Sequence, residues 1–400
     1  MSSFFELVRF EYKKIFKKRS TIIVLILGIF LTGINRVGTL LGNHYVNGEV
    51  FESKYEAMKK DRDNIRKLSG REINSDLLKE AIEAYSRIPY TEGPYVNTDE
   101  YQKYARPYSE IYSIIRRVYN IDSLKQLASI TEENLNDFYT IRQSIIEKTI
   151  DNTMMNAKEK AFSINLSRKV KTPFIYSYTG GYVNFIAQMT TTSFIICFIC
   201  SICISPLFAG EYTNGMDSLV FSSKYGRNKM IGAKIFTGIS FTVLLSMVLI
   251  AVSYIIIMLL FGWDGSDAPI QLYLPLTIVP YTMGQVALLY SLLILFANVL
   301  SSSITMVLSA KIKSPFIVLA IMTAISIIPG FINVSEDVLW LYHLFHLIPV
   351  NMFNFGNIIS IYSIDFLGLT IRPYVLMISF AAVVSIALLP IAFRSYKNNN

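Results

Sequence analysis

Long apolar runs fill most of the chain, separated by short polar junctions and interrupted once by a long charged stretch. Crossing a hydrocarbon core takes about 20 apolar residues at a rise of 1.5 Å each. Six segments read as spans on that basis, roughly Thr21–Leu41, Tyr182–Phe208, Ile231–Phe261, Pro280–Ala310, Pro315–Phe331 and Pro373–Phe393. Residues 1–20 predict an interfacial helix. Phe4, Phe5, Val8, Tyr12, Ile15 and Phe16 recur at helical spacing, opposite Arg9, Lys13, Lys14 and Lys17. The uninterrupted apolar part of the first span, Thr21 to Ile34, is only about 21 Å long at helical rise. Arg36, just beyond it, either snorkels to the outer interface or faces a polar cavity between helices.

Residues 42–180 form the charged stretch, and their periodicity predicts an all-helical lobe. Phe51–Ser69 is stopped by Gly70, and Ser75–Arg87 ends before Pro89. A third helix surrounds Tyr101–Tyr119 and accepts Pro107 only as a break or kink. A long fourth helix begins at a possible Ser129/Glu132 capping box and carries Leu135, Phe138, Ile141, Ile145 and Met155 towards Leu166. Residues 338–366 are strongly apolar but broken by Pro349 and Gly356. They suit short elements dipping into the outer leaflet, buried against protein or lining a cavity.

Charge gives the spans a direction. Hydrophobic residues make up 52% of the chain and charged ones only 16%, against roughly 25% charged in soluble domains. Residues 42–180 hold 21 of the 37 Lys and Arg and 20 of the 29 Asp and Glu, so the stretch is close to neutral. Of the formal net charge of +8, the stretch accounts for +1, so the basic excess resides in the short junctions. Lys13, Lys14, Lys17, Lys18 and Arg19 precede the first span. Lys224, Arg227 and Lys229 lie between the second and third, Lys311 and Lys313 between the fourth and fifth, and Arg394 and Lys397 after the sixth. Every second junction is basic, which by the positive-inside pattern places both termini in the cytosol and the lobe outside. The basic junctions also attract anionic lipid. A nucleic-acid surface would instead cluster on a soluble face, so nucleic acid is excluded as a partner. The expected fold is an all-α membrane protein of six spans, with an interfacial helix at 1–20, a first span at 21–41, an extracellular helical lobe at 42–180 and spans two to six in 181–400.

Candidate chemistry is sparse. Without a G-x-x-x-x-G-K-[ST] loop the chain cannot cradle ATP phosphates itself, and no catalytic constellation presents itself. His343 and His346 lie at i, i+3 with no carboxylate or thiol partner, which argues for interfacial histidines over a metal site. Cys197, Cys200 and Cys203 share one helix face and read as small packing residues. Gln188, Thr190, Thr191, Thr192 and Ser193 give the second span a polar outer half. They either line a translocation path or bond back to their own helix carbonyls.

One junction carries more. Residues 209–230 follow the second span, and Phe208 to Phe236 reads FAGEYTNGMDSLVFSSKYGRNKMIGAKIF. Its Glu211, Tyr212, Gly215, Leu219, Val220, Ser222, Ser223, Arg227 and Lys234 follow the pattern E-Y-x-x-G, apolar pair, Ser pair, Arg, then a Lys opening the next span. The pattern resembles that of the ABC-2 type permeases, the membrane-spanning subunits of bacterial ABC exporters. The resemblance implies that this segment is a cytosolic coupling element docking on a separate ATPase subunit, which would hold the ATP and Mg. It implies pairing with a second permease, as a homodimer or heterodimer, and export of an amphipathic or hydrophobic substrate. Glu211, Tyr212, Gly215, Leu219, Val220, Arg227 and Lys234 are then the docking residues, with Glu211, Arg227 and Lys234 as exposed charges and Leu219–Val220–Phe221 as an apolar knob. No cofactor is expected on this chain, and no enzymatic activity. The alternative is a membrane sensor or resistance receptor binding an external ligand through its lobe. An ion-coupled transporter predicts acids at mid-depth in the spans, and there are none.

Overall fold

The computed structural model describes residues 2–46, 48–89, 94–223 and 225–398. The chain is mostly helical with little sheet. Helix α1 (Ser2–Lys17) is followed after one residue by α2 (Arg19–Thr39), the first long apolar helix. Six helices then precede the next long one: α3 (Lys54–Leu68), α4 (Ser75–Ser86), α5 (Ser109–Tyr119), α6 (Glu132–Asn136), α7 (Phe138–Asp151) and α8 (Ala157–Ser167). Helix α9 (Gly180–Ile204) continues into α10 (Pro206–Thr213), and a short α11 (Asp217–Ser222) leads to α12 (Lys229–Phe261). The remainder comprises α13 (Met283–Lys311), α14 (Pro315–Ile327), α15 (Leu339–Phe345), α16 (Gly356–Ile359) and α17 (Pro373–Asn398).

Among the described residues, five helical stretches are long and apolar enough to cross a membrane: α2, α9 with α10, α12, α13 and α17. The sixth expected span is shorter. Helix α14 gives way at Ile328 to a 3₁₀ turn ending at Phe331, because Pro329 supplies no N–H to continue the helical ladder. The described bundle is centred on α9 and α13, each buried over more than half of its apolar length, whereas α2, α12 and α17 are mostly uncovered. Helix α13 packs against α9, α12 and α17. Close approach of α9 and α12 at one end depends on Gly181, where a Cβ would collide with the carbonyl oxygen of Gly262.

The lobe departs from the all-helical expectation. Strands β1 (Asn43–Val46) and β2 (Glu49–Ser53) pair antiparallel around Gly48, whose φ is +84°. Outside the lobe, before α17, a second hairpin, β3 (Ile364–Phe366) with β4 (Leu369–Ile371), turns through Leu367 and Gly368, both at positive φ. That geometry is the tight turn whose twist matches a hairpin. Pro107 acts as expected: a π-helical turn at Tyr101–Ala105 and a 3₁₀ turn at Arg106–Tyr108 precede α5. The long fourth helix is in fact three. Ser129 donates to the Gln126 carbonyl instead of capping. Thr131 caps α6, and Asn156 caps α8 in a box with Glu159.

The lobe is pinned to the loops of the bundle. Arg66 pairs with Asp264 at 2.6 Å, and Arg117 donates to the Tyr273 carbonyl at 2.8 Å. Buried Arg142 donates to the carbonyls of Pro275 (2.6 Å) and Thr277 (2.9 Å) and lies over the Phe174 ring. On the other side, Lys158 reaches Asp365 at 3.2 Å and Ser163 meets Ser363 at 2.8 Å.

Candidate functional site

Helix α1 is amphipathic, and its inward stripe holds Val8, Glu11, Tyr12 and Ile15 at i, i+3, i+4 and i+7. It lies against α12, with Tyr12 Oη 2.8 Å from Ser240 Oγ and aromatic contacts from Phe4 to Phe236 and Phe16 to Phe241. This packing carries a carboxylate into the protein, since Glu11 is only 1% exposed. Lys234, one turn and a half into α12, is fully buried and donates to Glu11 Oε2 (3.1 Å), Glu211 Oε1 (2.8 Å) and the Leu207 carbonyl (2.9 Å). Lys14 closes the set, at 3.0 Å from Glu11 Oε1 and 2.5 Å from Glu211 Oε1.

Two cations and two carboxylates thus neutralise one another where α1, α10 and α12 converge. Isolated charge in such a place would be costly, whereas a paired and hydrogen-bonded set is tolerated. Removing one member strands the others, which typically costs about 3–5 kcal/mol.

Helix α10 reaches this cluster through a break. Pro206 interrupts the ladder between α9 and α10, and Ser309 of α13 takes up the local backbone groups. Its Oγ accepts from the amides of Phe208 and Ala209, both at 3.1 Å, and donates to the Ser205 carbonyl at 2.7 Å. Beyond α10 the chain reverses at Gly215, whose φ of +63° suits a residue without a Cβ. The Met216 amide returns to the Glu211 carbonyl at 2.9 Å. Phe221 turns inward onto Tyr396 of α17, which also packs on Phe208 and Tyr212. Segment 209–230 is therefore held by charge to α1 and α12, and by aromatic rings to α17.

The sequence-predicted docking residues divide. Glu211 and Lys234 are buried and mutually paired, not exposed charges; the expectation missed the inward carboxylate of α1 that makes their burial affordable. Phe221 also faces inward and is not part of an exposed knob. Leu219 is 63% exposed, and Met216, Tyr225 and Arg227 are exposed beside it. Tyr212 is half-buried, with Lys313 over its ring at 5.5 Å. Lys224 and the Val220 side chain lie outside the described residues. Glu11 was overlooked, although an acid on the apolar stripe of an otherwise basic amphipathic helix is a legible signal.

The polar residues of α9 also divide. Gln188 is tied to α2, accepting from Asn35 (2.8 Å) and donating to the Thr32 carbonyl (3.3 Å). Thr192 and Ser193 are buried and bond back to the carbonyls of Gln188 and Met189. Thr191 faces outward from the chain. Only Thr190 of the five lines a described cavity, with its hydroxyl 2.8 Å from Tyr290 Oη. Arg36 is half-buried in the last turn of α2, and its Nε has no acceptor among the described residues. Cys197, Cys200 and Cys203 are buried free thiols on α9.

No protein-family model matches the chain, and no curated protein matches it.

Proposed function

We propose that the chain is the permease half of an ATP-driven exporter, with a separate ATPase docking on segment 209–230. The observation that carries this reading is the combination at that segment of rigid anchoring and an exposed tip. The Glu11–Lys14–Glu211–Lys234 cluster and the Tyr396 ring fix its base to three helices, while Met216, Leu219 and Arg227 project beyond it. An apolar and cationic tip on a stiff base suits transmission of force from a partner, and the E-Y-x-x-G resemblance gives that partner its class. Movement of a docked ATPase would act on α10 and, through the Pro206 break, on α9 and α13. Such a shift requires only that the partner contact the two states differently.

In this reading α14, with its following turn, makes the sixth span. The termini and segment 209–230 lie in the cytosol, the lobe lies outside, and the chain sits in the cytoplasmic membrane. A second permease, identical or related, completes the path, and ATP with Mg is bound by the ATPase alone. The substrate is amphipathic or hydrophobic. Two measurements test the reading, and the purified chain alone should turn over no ATP in the first. In the second, with Cys197, Cys200 and Cys203 replaced by alanine, a cysteine at Lys125 should label from outside intact cells. One at Leu219 should label only after permeabilisation. ATP turnover by the chain alone, or outside labelling at 219, would overturn it.

A further inference from the structure

A cavity of about 910 Å³ opens at the lobe end of the bundle, within the size range of small-molecule sites. Thr190 and Phe194 of α9 form one wall. The chain following α14 forms the second, and α15 with the residues after it forms the third. Two lining residues are fixed from behind: buried Tyr290 bonds through its Oη to Thr190 and donates to the Phe353 carbonyl at 2.6 Å. Four aromatic rings line it, Phe194, Tyr342, Phe345 and Phe353. Phe194 and Phe353 stand edge to face at 5.4 Å.

Glu336 is the only acidic or basic side chain among the described lining residues, leaving the histidine aside. It makes no ion pair among those residues, and Tyr362 donates its hydroxyl to Oε2. That bond holds the carboxylate in place and leaves Oε1 without a cation. His346 uses its Nδ1 to donate to the Tyr342 carbonyl at 2.8 Å, which braces α15.

Aromatic faces attract cations through their ring quadrupoles, and a carboxylate adds a direct charge partner. An anion would meet the same rings and an uncompensated Glu336. We propose that this cavity binds a cationic amphipath, an amine or quaternary ammonium carried on an apolar body. The binding stands on the cavity itself; calling the ligand a transport substrate rests on the exporter reading.

The full chain in phosphatidylcholine nanodiscs, with no ATPase present, tests the proposal. Rhodamine 6G, a fluorescent cationic amphipath, is titrated by anisotropy against protein-free discs, with the anionic 8-anilinonaphthalene-1-sulfonate as competitor. Rhodamine 6G should bind saturably and resist competition. Glu336→Gln should weaken it about tenfold, corresponding to about 1.4 kcal/mol, while Glu336→Asp keeps most of the affinity. Tyr342→Ala should weaken it about two- to fivefold, the size of one exposed cation–π contact. Because Glu336 is exposed, the glutamine variant should fold normally, and an unchanged melting temperature checks that. Unsaturable binding, equal affinity in Glu336→Gln, or effective competition by the anion would overturn the proposal. Saturable, Glu336-dependent binding by a chain that never associates with an ATPase would sink the exporter reading and leave this one standing.

Discussion

Two buried cations, Lys234 at the α1 end of the bundle and Arg142 at the lobe end, are held by different means. At the α1 end, Lys234 is met by two carboxylates and one carbonyl, and Lys14 shares both carboxylates. At the lobe end, Arg142 has two carbonyls and the face of Phe174, with no carboxylate among the described residues. Burial pushes the Arg142 guanidinium down to about 10, slightly offset by Tyr139, so it still carries its charge at neutral pH. The charge cluster is a mutual arrangement in which each member depends on the rest. The arginine is a staple between two pieces of backbone, and its loss strands only neutral acceptors. A joint of the first kind can be released by any event that displaces one partner, whereas the second simply fastens.

Lys234→Met should have the largest effect, because it leaves two buried carboxylates with one lysine between them. A local loss of about 3–5 kcal/mol is expected, read as faster tryptic cleavage in α1. Adding Glu11→Gln should restore part of the resistance, since it removes one stranded charge. If Lys234→Met leaves α1 equally protected, the cluster is not what holds that helix. Arg142→Met should cost less, about 1–3 kcal/mol for two carbonyls left without donors. Faster hydrogen exchange in α7 would report it, and no second charge change should rescue it. Rescue by neutralising a nearby acid would show that the two cations are held alike.

The smallest effect concerns pH. Glu110 at the start of α5 is pushed up to about 7 by burial and then by Asp61. A carboxyl with a raised pKa keeps its proton in the folded protein after the unfolded chain has lost it. Its stabilising effect is therefore complete at low pH and disappears as pH rises from the ordinary carboxyl value through about 7. Thermal melts of wild type and Glu110→Gln should thus differ in favour of the variant at pH 8 and converge towards pH 5. Parallel melts across that range would remove Glu110 from the account.

Apolar length made the long helices legible in the sequence, because a run such as Met283–Lys311 admits few other fates in or out of a membrane. Helix breaks read well where one residue forces them, as Pro107 does. They read poorly where hydroxyls crowd a helix start: Ser129 fits a box with Glu132 by spacing, yet Thr131 makes the cap. The Leu367–Gly368 hairpin was hidden because Leu rarely adopts positive φ. Residue type located the segment from Glu211 to Lys234, but its internal pairing depended on Glu11, 223 positions from Lys234. Side chains on α9 were equally opaque: Gln188 and Thr190 lie half a turn apart, yet one is spent on α2 and the other lines a cavity.

The proposed docking surface gives the most direct test of the exporter reading. The tagged chain is purified from its own membranes, and co-purifying proteins are scored for a G-x-x-x-x-G-K-[ST] loop. The wild type should bring down an ATPase subunit of that kind. Leu219→Asp with Arg227→Glu, both exposed, should lose it while the melting temperature stays unchanged. Retention of the subunit by that double variant, or its absence from the wild-type complex, would contradict the account.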